Sequence, residues 1–168
     1  MKVRCIATKG SELPENYLNT PLDITKKTEF KLILNKEYIV YAISECQGNL
    51  SYYICDERYT YYPIHNPAPL FEIVDARYSR YWQVQLATNG LLEIAFEHWF
   101  DLPYFYEKLT DSEAEAVLIF DKMKELMDAE AAIPQPQSFS VDELLAMPPL
   151  QPDKLAKIPG LNYVRSPK

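Results

Sequence analysis

Cys55, His65 and Asp75 are the residues of this chain whose types could make a nucleophilic set. A thiolate needs a base beside it and an acid that orients that base. The flanking sequence argues against such a set. No glycine elbow, helix N-terminus or oxyanion-hole signature adjoins the cysteine. Cys55 therefore reads as a small core residue. Cys46, Cys55 and His65 fail as a metal set, because structural zinc takes ligands in closely spaced pairs. Asp56 and Glu57 adjoin a turn, and Glu113 and Glu115 open a helix, so turn and cap chemistry accounts for them. His98, in "EHWFD", reads as a structural turn residue. With four glycines and no Gly-rich run, a phosphate cradle is excluded. The expectation is a protein without catalytic residues, metal or cofactor.

Two features point to binding instead. Nine of the thirteen tyrosines fall between Tyr38 and Tyr81. Tyr59, Tyr61, Tyr62 and His65 lie beside a turn and the proline-rich "HNPAP". Alternating tyrosines are ordinary strand packing, but a cluster at a turn supplies contact area at low entropic cost. The second feature is charge. The chain carries a net −7, and residues 93–130 alone carry eleven acids against three lysines. Such a balance argues against a nucleic-acid binder that works by counterion release. On a helix with its apolar stripe turned inward, Glu115, Asp121, Glu125 and Asp128 are expected to face water. They would form either a solvated face that keeps the protein soluble or a docking face for a basic protein partner.

These residues need elements to hold them. Residues 3–8 read as a strand and 9–29 as a polar loop. "FKLILNKEYIVYAIS" is strand-like with a break at Asn35-Lys36, "QGN" is a turn, and "LSYYIC" is the returning strand. "DERYT" is the next turn, "YYPI" is a short strand, "HNPAP" is irregular, and "LFEIVD" resumes β character. In "YWQVQLATNGLLEIAF" a hairpin is expected around Asn89-Gly90. Trp82, Val84 and Leu86 should share a face with Leu92, Ile94 and Phe96. A helix is expected over 111–131, opened by a Thr110–Glu113 capping box, with Val117, Phe120, Met123 and Met127 inward and Ile119 and Leu126 widening the stripe. The predicted core is Trp82, Val84, Leu86, Leu92, Ile94, Phe96, Val117, Phe120 and Met123. Seven of thirteen prolines lie in residues 133–168, which also carry Phe139, Leu144, Leu145 and Leu150. That arm is expected to lie on its own domain or on another copy of the chain. Within it, Ser140–Glu143 forms a second capping box.

"LILNKEYIVYAIS" followed by "YYICDERYTYYPIHNPAPLFEIVD" resembles small bacterial and phage-borne proteins with an SH3-like β-barrel. In those proteins a "GKEY"-type entry leads through a hairpin to a closing "LFE" strand. Asn35 stands here at the entry glycine and can also take a positive φ. The likeness covers residues 30–75. "SRYWQVQL" and "HWFDLPYFYEKLTD" are similar to uncharacterised bacterial proteins, some of which resemble immunity proteins that neutralise a toxin. The resemblance implies a partner-binding role and brings no catalytic residues.

The expectation is therefore an α+β protein: a strongly bent antiparallel sheet or SH3-like barrel over 1–97, one long helix, and a proline-rich arm. No run of apolar residues is long enough for a membrane helix. The start "MKVRCIATKG" lacks a signal-peptide core, and an odd three cysteines suit a reducing cytoplasm. The function expected is cytoplasmic and non-catalytic: an immunity protein that neutralises a basic toxin domain. The alternatives are a small-molecule-binding regulator or enzyme using the surface around Tyr59–His65, and an assembly subunit docking through residues 133–168.

Overall fold

A computed structural model describes residues 1–18, 23–86, 90–135 and 138–148. The chain divides into Met1–Pro134 and Gln135–Lys168. The first unit is α+β and contains two antiparallel sheets. Three strands make the smaller sheet: β1 (Lys2–Cys5), β2 (Glu37–Ile39) and β6 (Phe71–Asp75), in the order β2-β1-β6. Five make the larger: β3 (Ala42–Cys46), β4 (Asn49–Ile54), β5 (Ile64–Pro67), β7 (Trp82–Leu86) and β8 (Leu92–Phe96). Their order is β5-β4-β3-β8-β7. The sheets are separate, so the expected closed SH3-like barrel is corrected to two layers.

Alternation explains how the sheets pack. Val3 and Cys5 of β1 point inward, while Arg4 points out and pairs with Glu37 and Glu72 on its two neighbours. Val3, Cys5, Tyr38 and Phe71 meet Tyr52 and Ile54 of the larger sheet in one buried cluster. Side chains of period two make this possible, because each strand commits alternate residues to one face. Asn35 adopts a left-handed φ of 66° at the entry to β2, and Gln47-Gly48 turn the β3–β4 hairpin at 54° and 80°. "HNPAP" is not irregular as expected. Ile64–Pro67 pairs with β4, and Ala68–Leu70 is a turn of 3-10 helix. Pro67 is tolerated because β5 is the outermost strand and needs no second partner there.

The β7–β8 hairpin keeps the predicted faces: Trp82 opposes Phe96, Val84 opposes Ile94, and Leu86 opposes Leu92. A two-residue Asn89-Gly90 turn would instead set Leu86 against Glu93. The register is one residue away from that, since a slip of one would turn every apolar side chain over. Gly90 has the positive φ, 84°; residues 87–89 lie outside the described part. Two predicted core residues are corrected here. Val84 is 66% and Leu86 70% exposed. The inter-sheet cluster takes side chains of β3 and β4 but reaches only Trp82 on outermost β7.

Three helices follow: α1 (Glu97–Asp101), α2 (Phe105–Thr110) and α3 (Ala114–Ala132). The first two were not expected. Thr110 ends α2, Ser112 turns the chain at φ 61°, and Glu113 caps α3 without a side-chain bond. The expected Thr110–Glu113 capping box is therefore absent. Phe120 and Met127 are buried, and Val117, Ile119 and Met123 pack around them. Leu126 stays exposed. The helices gather with Tyr41, Ala42, Ala95 and Phe96 into a second core. The 79–80 segment is tied to the end of α3, where Glu130 accepts from the Ser79 hydroxyl at 2.5 Å and from Arg80 Nε at 2.9 Å. No described helix is long and apolar enough to cross a membrane.

In the second unit, α4 (Val141–Ala146) carries the capping box predicted for Ser140 and Glu143, with both reciprocal bonds made. Of the proposed arm, residues 136–137 and 149–168 lie outside the described part.

Candidate functional site

One face of the larger sheet is built differently from the other. Register aligns Glu93, Ser44 and Ser51 across β8, β3 and β4. Tyr53 aligns with His65 one step along. On an ordinary packed face this row would be apolar. Here it floors a cavity of about 340 Å³ lined by Ser44, Cys46, Ser51, Tyr53, His65 and Glu93. Tyr17, Ile24 and Tyr106 close it from the sides. The Tyr17 wall is latched: its hydroxyl donates to Leu50 O at 3.2 Å and accepts from Leu50 N at 2.9 Å. Gly10 lets this loop lie close, since a Cβ there would stand 2.0 Å from Thr25 O.

A second cavity of about 410 Å³ shares Tyr53, Glu93 and Tyr106 with the first and extends over Trp99, Tyr104 and Glu107. Its aromatic wall is ordered by ring contacts. Tyr53 meets Trp99 edge-on at 5.1 Å and Tyr106 at 5.2 Å, and Trp99 stacks on Tyr106 at 5.2 Å. Tyr104 lies at the rim with a left-handed φ of 59°, an uncommon conformation for a bulky residue.

The ionisable groups follow from burial. Burial lowers the His65 pKa below its ordinary value and keeps the ring neutral near pH 7. Burial, then the neighbouring Glu107 carboxylate, pushes Glu93 up. Cys55 is pushed up to about 12, chiefly by burial, so it is a thiol rather than a nucleophile. Asp75 sits in the other sheet, with Arg77 Nε donating to both carboxylate oxygens at 3.0 and 3.1 Å. The Cys55–His65–Asp75 set is therefore not assembled. No group of three or more metal-ligating side chains forms among the described residues.

The sequence-derived residues fall into three places. Tyr59, Tyr61 and Tyr62 do come together, with ring centroids at 4.9 Å (Tyr59–Tyr62) and 5.0 Å (Tyr61–Tyr62). Tyr61 is 54% exposed, and the Arg58 guanidinium stands 5.0 Å over the Tyr59 ring. Arg58 and Tyr59 amides donate to the buried Asp56 carboxylate, which fixes the turn. His65 belongs to the sheet cavity, and with Tyr59 it also lines a smaller one of about 220 Å³. Glu115, Asp121 and Glu125 are exposed on α3, with Glu125 near Lys122. Asp128 departs from the expectation: half-buried, it accepts from the Tyr41 hydroxyl at 2.7 Å and from Lys124 at 2.5 Å. It anchors the helix rather than facing water.

Sequence reasoning missed Tyr17, Ser44, Ser51, Glu93 and Tyr106 as cavity residues. The available signal was a serine in each of two paired strands, Ser44 in "AISEC" and Ser51 in "NLSYYI". No protein-family model matches this chain, and no curated protein or solved structure matches it either.

Proposed function

We propose that this is a non-catalytic binding protein for a basic protein partner, most concretely an immunity protein that neutralises a basic toxin domain. One observation carries the reading: the tyrosine cluster and the carboxylate-bearing helix α3 pack on one core. Tyr62 and Cys55 pack on the same core as Phe120 of α3, and Asp121 acts electrostatically on Cys55. Exposed Tyr61 and half-buried Tyr59 thus belong to the same side of this core as exposed Asp121. Aromatic faces beside carboxylates suit lysine and arginine side chains, which take charge from one and a quadrupole from the other. Arg58 over Tyr59 is an intramolecular case of that contact. The depressed reactivity of Cys55 and the dispersal of the nucleophilic set support a non-catalytic role.

The test places a photo-crosslinking amino acid at position 61 in the native host and identifies the trapped protein. A basic protein whose capture fades with added salt, and with Glu115, Asp121 and Glu125 reversed to lysine, is the expected result. Capture indifferent to salt and to the reversals would remove the charge-based reading.

A further inference from the structure

The cavity on the larger sheet adjoins the proposed partner face through His65 and Tyr106, and its chemistry selects a ligand class. Glu93 lies at the junction of both cavities, half-buried, with Glu107 as its charged neighbour. No lysine or arginine lines either cavity among the described residues. A half-enclosed carboxylate without a cation is costly to keep charged. Around it stand the π-faces of Tyr53 and Tyr106, with Trp99 beyond. Ser51 lines the cavity floor, with a hydroxyl that can both donate and accept. Volumes of 340 and 410 Å³ lie in the range that holds small organic ligands.

We propose that this cavity binds a small organic amine. Its protonated nitrogen pairs with Glu93, its body lies against Tyr53 and Tyr106, and a hydrogen-bonding group meets the Ser51 hydroxyl. The neutral His65 lining the same cavity adds no competing positive charge. An anionic ligand would meet two carboxylates and no cation, and a purely apolar one would strand the Glu93 carboxylate.

Three probes on one phenylethyl frame test this on the full chain: 2-phenylethylamine, 2-phenylethanol and 3-phenylpropanoate. Binding is read by titration calorimetry and by Trp99 fluorescence in a Trp82→Phe background. The amine should bind saturably, and the alcohol and carboxylate should bind at least roughly tenfold more weakly, since only the amine makes a charge-assisted pair. Glu93→Gln should remove that preference while leaving the unfolding midpoint in place. Glu107→Gln, at an exposed position, gives a weaker loss and guards against misfolding of the first variant. Glu115→Lys, on α3, should leave amine binding unchanged. The proposal is overturned by equal affinity for the three probes, by no amine binding at millimolar concentration, or by full amine affinity in Glu93→Gln.

Discussion

The two faces of the five-stranded sheet are made by the same strands, yet one is filled and the other is partly open. Ile43 and Tyr52 point to the inter-sheet core, and their sequence neighbours Ser44 and Ser51 point to the cavity. A one-residue step along β3 or β4 thus crosses from packing to site. Hydrophobic burial stabilises the first face, while on the second Ala42, Tyr53 and Ala95 pack with the helices and Ser44, Ser51 and Glu93 are left to the cavity. The pleat separates the inter-sheet core from the cavity, and the helices decide how much of the second face stays open.

Mutations can break this comparison. The largest effect is expected where the helices cover the strand ends. Phe120 is 0% exposed and meets the Tyr41 ring edge-on at 5.5 Å. Phe120→Ala should cost about 3–5 kcal/mol in denaturant unfolding; a loss under about 1 kcal/mol would mean the helix is not held by this face. The paired test of the faces comes next. Ile43→Ala should cost about 2–3 kcal/mol, and Ser51→Ala should change stability by less than about 0.5 kcal/mol because its hydroxyl lines the cavity rather than the inter-sheet core. Similar losses for the two would erase the distinction between the faces.

A smaller effect is expected at Asp75, whose carboxyl Arg77 holds near a pKa of about 2. Its folded pKa lies below its unfolded value of about 4, so the stabilisation is present above that pH and is lost as pH falls through about 2. Asp75→Asn should cost about 1–2 kcal/mol at neutral pH, and the difference from the parent should close on acidification. An unchanged gap at pH 2 would assign the loss to something other than this ion pair. The smallest effect belongs to the outer side of α3. Reversing Glu115, Asp121 and Glu125 to lysine should leave stability within about 0.5 kcal/mol, as exposed charges contribute little. A large loss would show that these carboxylates hold the fold and are not free for a partner.

How much of this was legible in the sequence depended on whether the signal was local. The hairpin faces were readable because Trp82, Val84 and Leu86 alternate with glutamines. Burial of Val84 was not, since it depends on how far the other sheet extends beneath β7. The long helix was readable from Val117, Phe120, Met123 and Met127. Its start was not, because Thr110-Asp111 serve the end of α2 and imitate a cap. Asp128 looked like one more surface acid, and only the fold brings Tyr41 to it from 87 positions away. The cavity was illegible for the same reason: Tyr17, Ser51, Glu93 and Tyr106 meet through strand pairing and a folded-back loop. The tyrosine cluster was legible because its members are neighbours in the chain.

The outermost strands of the larger sheet have unlike rims. β5 ends in Pro67 and follows Pro63, so it is short of the amide donors another strand would need. β7 has no proline, and no strand of the described residues pairs with its outer rim. Growth of the sheet by adding strands is therefore blocked on one flank and open on the other. Two copies joined through β7 would each turn a proline-guarded flank outward, so growth of this sheet by strand addition would stop at two copies.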